Sequence, residues 1–230
     1  MTAAIHQPDY IPYLGYFYKI SRADVFVFLD DAQFSNTGGH DRNLFKTPLG
    51  VKALKIPVSQ TLGDAINEVR TKDHLGWKAK HLSAVREHYK SAPFFDAVFP
   101  IFSELLEPAY DNIARLNEAV IVRFSHEFGF DTAFLQSSQL HIRTKKEQRV
   151  IDLCRAVGAD TYLSGNGAQV YQTLAHFSEN GVQLTYSAYT PFEYPQLWGS
   201  FIENLSVLDY VMNCGFNWRD DNDQRIRQFS

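Results

Sequence analysis

The 230-residue sequence predicts an α/β fold: a mainly parallel, Rossmann-like sheet with a helical insertion. Three observations predict it. Short apolar runs that lack alternation, Ala23–Leu29 the clearest, read as strands buried on both faces. Strand-like and helix-like segments alternate at both ends of the chain, the signature of βαβ units. Between those ends, Leu75 to Phe128 reads as a run of three helices.

Taken in order, Ala3–His6 is a short apolar strand, Tyr13–Ile20 has the spacing of one short helix, and Ala23–Leu29 is a strand that ends in Asp30 and Asp31. Ala32 to Val58 is rich in turn residues, among them Gly38, Gly39, Pro48 and Gly50, with strand character from Val51 to Val58. Ile66–Arg70 reads as another short strand. Leu75–Tyr89, Phe94–Leu106 and Asp111–Phe128 carry a helical period, with Pro93 and Pro108 at the breaks. Alternation returns with a strand at Thr132–Gln136, an amphipathic helix at Lys145–Val157 closed by Gly158, and a strand at Asp160–Ser164. A short helix about Ala168–Leu174, a strand at Val182–Tyr186 and a terminal helix at Ile202–Asn213 complete the pattern, before a polar tail at Asp220–Asp223. No segment reads as a linker, so one domain is expected over 1–230, with the insertion at about 75–128.

Composition narrows the partners. Hydrophobic content of 45% with 21% charged residues is that of a soluble globular protein. The net charge is −4, and the one dense basic stretch is Arg143, Lys145, Lys146 and Arg149. Counterion release on nucleic acid needs a broader basic surface, so no nucleic-acid partner is expected. A phosphate-bearing small molecule needs only one or two cations and some backbone N–H groups. Cys154 and Cys214 lack metal or CxxC spacing and read as buried free thiols. No charged-then-apolar leader and no apolar run near the ~18 residues of a membrane span are seen, so a cytoplasmic location away from the membrane is expected. The 18 Phe read mainly as core, while the 12 Tyr suit a wet pocket.

Ligands of open parallel sheets collect at the carboxyl ends of strands. His6, Asp30 and Asp31 all fall at such ends. His6 leads the run HQPDYIPYLGYFYK, with Gln7, Asp9 and Tyr10 beside it and Lys19 in the helix that follows. A strand-end His, with an ordinary pKa of about 6.5, serves as a base or holds an anion; the plainer alternative is a ring tied to a backbone carbonyl. For Lys19 the alternative is solvated surface. Asp30 and Asp31 suit Mg²⁺ binding, ribose hydroxyl binding or base work, or simply a strand-end turn. Arg42 and Asn43 lie shortly downstream, and Arg clamps phosphate or carboxylate bidentately. Ser164, Gly165, Asn166 and Gly167 form a strand-end turn able to present N–H groups to an anion, although it is neither a Walker motif nor GxGxxG. His74, His81 and His88 are spaced too widely for a shared metal, and His126 and His176 read as core or surface. No metal-ligand cluster and no nucleophilic triad stands out, zinc is disfavoured, and the cofactor is left unknown.

The chain resembles the WbqC-like family over nearly its whole length. The resemblance is carried by HQPDYIPYLGYFYKI at His6–Ile20, by ADVFVFLDDAQF at Ala23–Phe34 and by Asp41–Asn43. Trp77 and Lys80–His81, Tyr89 with Ala92–Phe95, Gly158–Gly165, Tyr194–Gln196 and Leu205–Asp209 add to it. One departure is the longer link Asn36–His40 into the Arg42–Asn43 element. The resemblance implies a bacterial cytoplasmic protein associated with polysaccharide gene clusters, O-antigen among them, and a transferase acting on a nucleotide-activated sugar or amino sugar. In that setting His6 is the expected base or anion ligand, Lys19 and Arg42 stabilise charge, and Asp30 or Asp31 acts as base or metal ligand. Gln7, Asp9, Tyr10, Asn43, the Ser164–Gly167 turn, Tyr171, Tyr194 and Gln196 line the substrate pocket. Two alternatives stay open: a non-catalytic protein that binds a sugar or partner in the same pathway, and a nucleotidyl- or adenylyl-transfer enzyme. Such enzymes share the opening strand, Pro/His/Gly loop and helix, although the HxGH pattern is absent.

Overall fold

The structure is a computed structural model and describes residues 1–168 and 172–218. Along the chain come β1 (Thr2–His6), α1 (Leu14–Ser21) and β2 (Val25–Phe28), then a hairpin of β3 (Arg42–Thr47) and β4 (Gly50–Lys55), then the short pair β5 (Val58–Ser59) and β6 (Arg70–Thr71). Three helices follow: α2 (Trp77–Tyr89), α3 (Phe95–Leu106) and α4 (Ile113–Glu127). Alternation then resumes as β7 (Ala133–Gln136), α5 (Lys146–Ala156), β8 (Thr161–Ser164), α6 (Leu174–Glu179) and β9 (Gln183–Tyr186), before α7 (Val207–Cys214).

Five of these strands form one sheet in the order β7-β2-β1-β8-β9, and every pair in it is parallel. The chain builds outward from β1 in one direction through β2 and β7, then returns to the other side of β1 for β8 and β9. That is the doubly wound order of the Rossmann class, and β1 and β8 flank its switch point.

The burial pattern explains why these runs became strands. All four residues of β2 are buried, because both faces of the sheet are covered. Ala4, Phe26 and Phe28 point into a large core shared with α1, α3, α4 and α7, while Ala3, Ile5, Val25 and Val27 point into a second core with Ile151, Leu153 and Cys154 of α5 and Phe177 of α6. Alternate residues of one strand therefore serve opposite layers. Asn112 caps α4, its side chain accepting from the Arg115 N–H at 3.0 Å.

Four segments differ from the sequence expectations. The loop-rich stretch contains a further strand, β3, which pairs with β4 in register from Arg42↔Lys55 to Thr47↔Gly50. Ile66–Arg70 is not a strand: it is a single 3-10 turn at Ile66–Glu68 followed by β6. Its Ile66 and Asn67 N–H groups donate to the Ala32 and Asp30 carbonyls at 2.9 Å each, which wraps the segment over the exit of β2. The last helix starts at Val207, where the Ser206 hydroxyl accepts from the Leu208 N–H at 3.2 Å. Near Ala168–Leu174 the described residues are a 3-10 turn at Asn166–Ala168 and the start of α6; Tyr171 and the acidic tail lie outside the described residues. Among the described residues no helix is long and apolar enough to cross a membrane.

Candidate functional site

A cavity of about 1150 Å³ opens over the carboxyl ends of β1 and β8. Its floor is set by register. Ala4 lies opposite Leu163, so the next step sets Ile5 beside Ser164 and His6 beside Gly165. Lys19 reaches back from α1 and its Nζ donates to the Ile5 carbonyl at 3.4 Å. His6 and Ser164 thus lie within one residue of each other along adjoining strands, and the Lys19 ammonium sits against the residue before His6.

The walls come from elements far apart in the chain: Gln7, Tyr13 and Gly15 around the start of α1, Lys145 to Gln148 at the start of α5, the Gly165–Gly167 turn, His176 on α6, and Ser187 and Tyr189 beyond β9. The Tyr13 and Tyr189 rings meet edge to face with centroids 6.0 Å apart. Among the described residues no group of three or more His, Cys, Asp or Glu side chains is arranged to hold a metal ion.

Electrostatics at the floor are set by burial. His6 is pushed down to about 4, first by desolvation and then by the Lys19 charge. Its ring is therefore neutral at neutral pH. Nδ1 lies 3.0 Å from the Gln7 carbonyl, which can only accept, so Nδ1 carries the proton and Nε2 keeps its lone pair. Tyr16 fixes the ring further by an edge contact at 4.8 Å and donates its own hydroxyl to the same Gln7 carbonyl at 2.9 Å. Lys19 is pushed down to about 8 by burial, against the pull of the Asp9 carboxylate. Among the described residues no carboxylate stands within ion-pair distance of Lys19. Ser164 is 1% exposed, and among the described residues its hydroxyl has no hydrogen-bond partner.

The loop between β1 and α1 is held from outside. Asn117 of α4 is fully buried and donates to the Pro8 and His40 carbonyls at 3.0 and 2.9 Å. Asn43 of β3 donates to the Tyr10 and Ile11 carbonyls at 3.1 and 2.9 Å. The Tyr10 hydroxyl meets His81 Nδ1 at 3.0 Å, and the Val207 N–H donates to Pro12. These contacts stabilise Ile11 at φ 37°, a left-handed conformation that costs a β-branched residue about 1–3 kcal/mol. Asp9 sits behind the floor, 2.9 Å from the buried His40 ring.

The sequence-predicted residues fall into two groups. His6, Gln7, Lys19, Ser164, Gly165, Asn166 and Gly167 line the cavity. The others do not line it. Tyr10 and Asn43 lock the loop as just described. Asp30 accepts from Asn67, Ser137 and Ser138, tying the end of β2 to the segments around it, and Asp31 is paired with Arg149. Arg42 closes bidentately on its neighbour Asp41, at 2.8 and 3.2 Å. Tyr194 donates to the buried Asp209 at 2.9 Å, and Gln196 accepts from Lys46 at 3.1 Å. Together they pin the 194–202 loop to the hairpin. Tyr171 lies outside the described residues.

Sequence patterning passed over several wall residues. Lys145 and Lys146 stood out as a basic stretch with no placed partner. His176 faces Glu147 Oε2 at 3.1 Å and Gln148 Oε1 at 3.2 Å, a contact between α6 and α5 that no local pattern signals. Tyr189 and Ser187 belong to an irregular segment whose only signal was its tyrosine content.

Comparison with known proteins matches this sequence to a family. A model of the WbqC-like protein family matches residues 7–220. An uncharacterized protein of Mycobacterium tuberculosis (strain ATCC 25618 / H37Rv), Rv1507c, is 31% identical over 219 residues, which cover 92% of this chain and 93% of that protein. No solved structure matches.

Proposed function

The chain belongs to the WbqC-like family, and from that premise we propose that it is a cytoplasmic transferase acting on a nucleotide-activated sugar or amino sugar in the assembly of a bacterial surface polysaccharide of the O-antigen type. The observation that carries this reading is the neutral His6, with Nε2 free to take a proton, beside a buried Lys19 on the floor of the switch-point cavity. Sites for single small molecules run from roughly 300 to 1,000 Å³, so a cavity of about 1150 Å³ has room for a nucleotide together with its sugar.

In this mechanism an acceptor hydroxyl or amine lies against His6 Nε2 and gives up its proton there. The acceptor atom bonds to the anomeric carbon, and the carbon–oxygen bond to phosphate breaks, its electron pair leaving with the nucleoside diphosphate. Lys19 offsets the negative charge that builds in this step, in a site where partial desolvation strengthens the interaction. Tyr13 and Tyr189 offer faces on which a base or sugar ring stacks.

A panel of nucleotide sugars tests the proposal by thermal shift and turnover. A ligand at one hundred times its Kd raises stability by about 2.7 kcal/mol. His6→Gln is expected to cut turnover by roughly 10²–10⁴-fold while Kd changes little. The pH profile of kcat/KM should be bell-shaped, falling below about 4 as His6 takes a proton and above about 8 as Lys19 loses one. Saturable binding without turnover for every acceptor class would instead make the protein a non-catalytic binder.

A further inference from the structure

We propose that the phosphates of the ligand seat on the Ser164–Gly167 turn and the first turn of α5, and not at the start of α1 where Rossmann-type sheets usually hold them. This placement rests on the nucleotide-activated substrate proposed above and orients it: phosphates toward β8 and α5, the remainder toward the Tyr13 and Tyr189 rings.

The usual seat is crowded by aromatic rings. A phosphate at the start of α1 needs free N–H groups and a glycine with room beside it. Pro8 and Pro12 have no N–H, the Tyr10 N–H donates to Gly39 at 2.9 Å, and the Tyr16 N–H donates to Tyr13 at 3.0 Å. Gly15 is present, but aromatic carbon fills the space beside it. A Cβ there would lie 2.4 Å from the Tyr13 ring and 2.7 Å from the Tyr189 ring.

The turn after β8 is the reverse. A Cβ on Gly165 or Gly167 would meet nothing within 4 Å, so the backbone is open to close approach. Ser164, on the cavity wall, adds a hydroxyl that is buried and unpartnered among the described residues. A buried donor left unsatisfied costs about 1–3 kcal/mol, a deficit that a phosphate oxygen would remove.

Across the cavity stands α5, eleven residues long, with no side chain capping its N-terminus. Its first-turn N–H groups lack intrahelical partners and face the anion-favouring end of the helix dipole. Lys145 and Lys146 bring two positive charges to that turn, and Lys146 holds φ 54°, strained for a non-glycine residue. Glu147, the carboxylate on the same turn, is already engaged by the Thr173 N–H and His176.

Inorganic pyrophosphate, titrated calorimetrically into the full chain, is the probe. Saturable binding is expected, weakened about 3- to 10-fold by Ser164→Ala and by Lys145→Ala combined with Lys146→Ala, in variants whose circular dichroism matches the parent. Two results would overturn the placement. One is no saturable binding up to about 10 mM. The other is loss of binding in Lys19→Met with full affinity kept in Ser164→Ala, which would set the anion over the β1 side. In that second case the transferase proposal survives, because nucleotide sugars would still bind. Pyrophosphate bound as expected with no nucleotide sugar bound would keep the anion seat and end the transferase proposal.

Discussion

In the loop after β1, the carbonyls of Gln7, Pro8, Tyr10, Ile11 and Pro12 each accept a hydrogen bond, from α1, α4, β3 or the start of α7. In the turn after β8, the Ser164 hydroxyl has no partner among the described residues and both glycines face open space. The two segments flank the same switch point, yet one is fastened by the rest of the protein, while the other is held at the Ser164 carbonyl by the Ser187 N–H and leaves the Ser164 hydroxyl unpartnered among the described residues. The fastened loop fixes the tautomer and direction of His6, and the open turn leaves donors for a ligand to use. A pre-organised reactive group beside an unsatisfied anion seat is the division of labour expected of a site that must both orient and hold its substrate.

The largest effect is expected where the fastening is deepest. Asn117→Ala leaves the Pro8 and His40 carbonyls without their buried partner and should cost about 4 kcal/mol in urea unfolding, from two groups at ~1–3 kcal/mol each. A loss below about 1 kcal/mol would mean that water replaces the side chain and that the loop is not locked from α4.

Acid should loosen the same loop. His81 is pushed down to about 4, chiefly by burial, with Nδ1 against the Tyr10 hydroxyl and Nε2 3.2 Å from the Lys55 carbonyl. Its folded value lies below the unfolded one, so between pH 6.5 and about 4 the unfolded chain binds the extra proton and stability falls as pH falls. The loss for this group is at most roughly 3 kcal/mol. Glu118, pushed up to about 7 mainly by burial, works in the opposite sense: its contribution to stability is lost as pH rises from about 4.5 to 7. Unfolding measured against pH in His81→Gln should show a shallower acid slope than the parent, and equal slopes would remove His81 from the lock.

Glycine substitutions set the two segments directly against each other. Gly15→Ala drives a methyl group into the Tyr13 and Tyr189 rings and is expected to cost about 2 kcal/mol. Gly165→Ala meets no neighbour and should change stability by less than about 0.5 kcal/mol. Comparable losses at both sites would erase the contrast between a packed loop and an open turn. Smallest of all is Ser164→Ala, which removes a buried hydroxyl that has no partner among the described residues and should leave Tm unchanged or slightly raised. A clear drop in Tm would show that the hydroxyl has a partner in solution.

Some of this was legible in the sequence because it is local. The apolar run at β2 ends in a turn whichever strands lie beside it, and His6 and Ser164 end their strands for the same reason. Asp30 and Asp31 show where such reasoning stops. Their position at a strand end is local, but what engages them is not: Asn67, Ser137, Ser138 and Arg149 reach them from 37 to 118 residues away. The hairpin strand β3 was hidden likewise, since Arg42–Thr47 has a mixed pattern and becomes a strand through its partner β4 and through Ser206, whose N–H donates to the Leu44 carbonyl at 2.9 Å.

By itself the sequence determined the alternation of strand and helix, the doubly covered strands, and the run HQPDYIPYLGYFYK as the segment that crosses from β1 to α1. Side-chain periodicity and turn chemistry act over a few residues, and those are written in order along the chain. Tertiary structure alone decided that β8 lies beside β1, and with it that Ser164, Lys19 and His6 share one floor under walls from α5, α6 and the segment after β9. It also decided which polar groups are satisfied. Hydrogen bonds and desolvation depend on distances of a few ångströms between residues remote in sequence, and the order of strands in the sheet sets those distances.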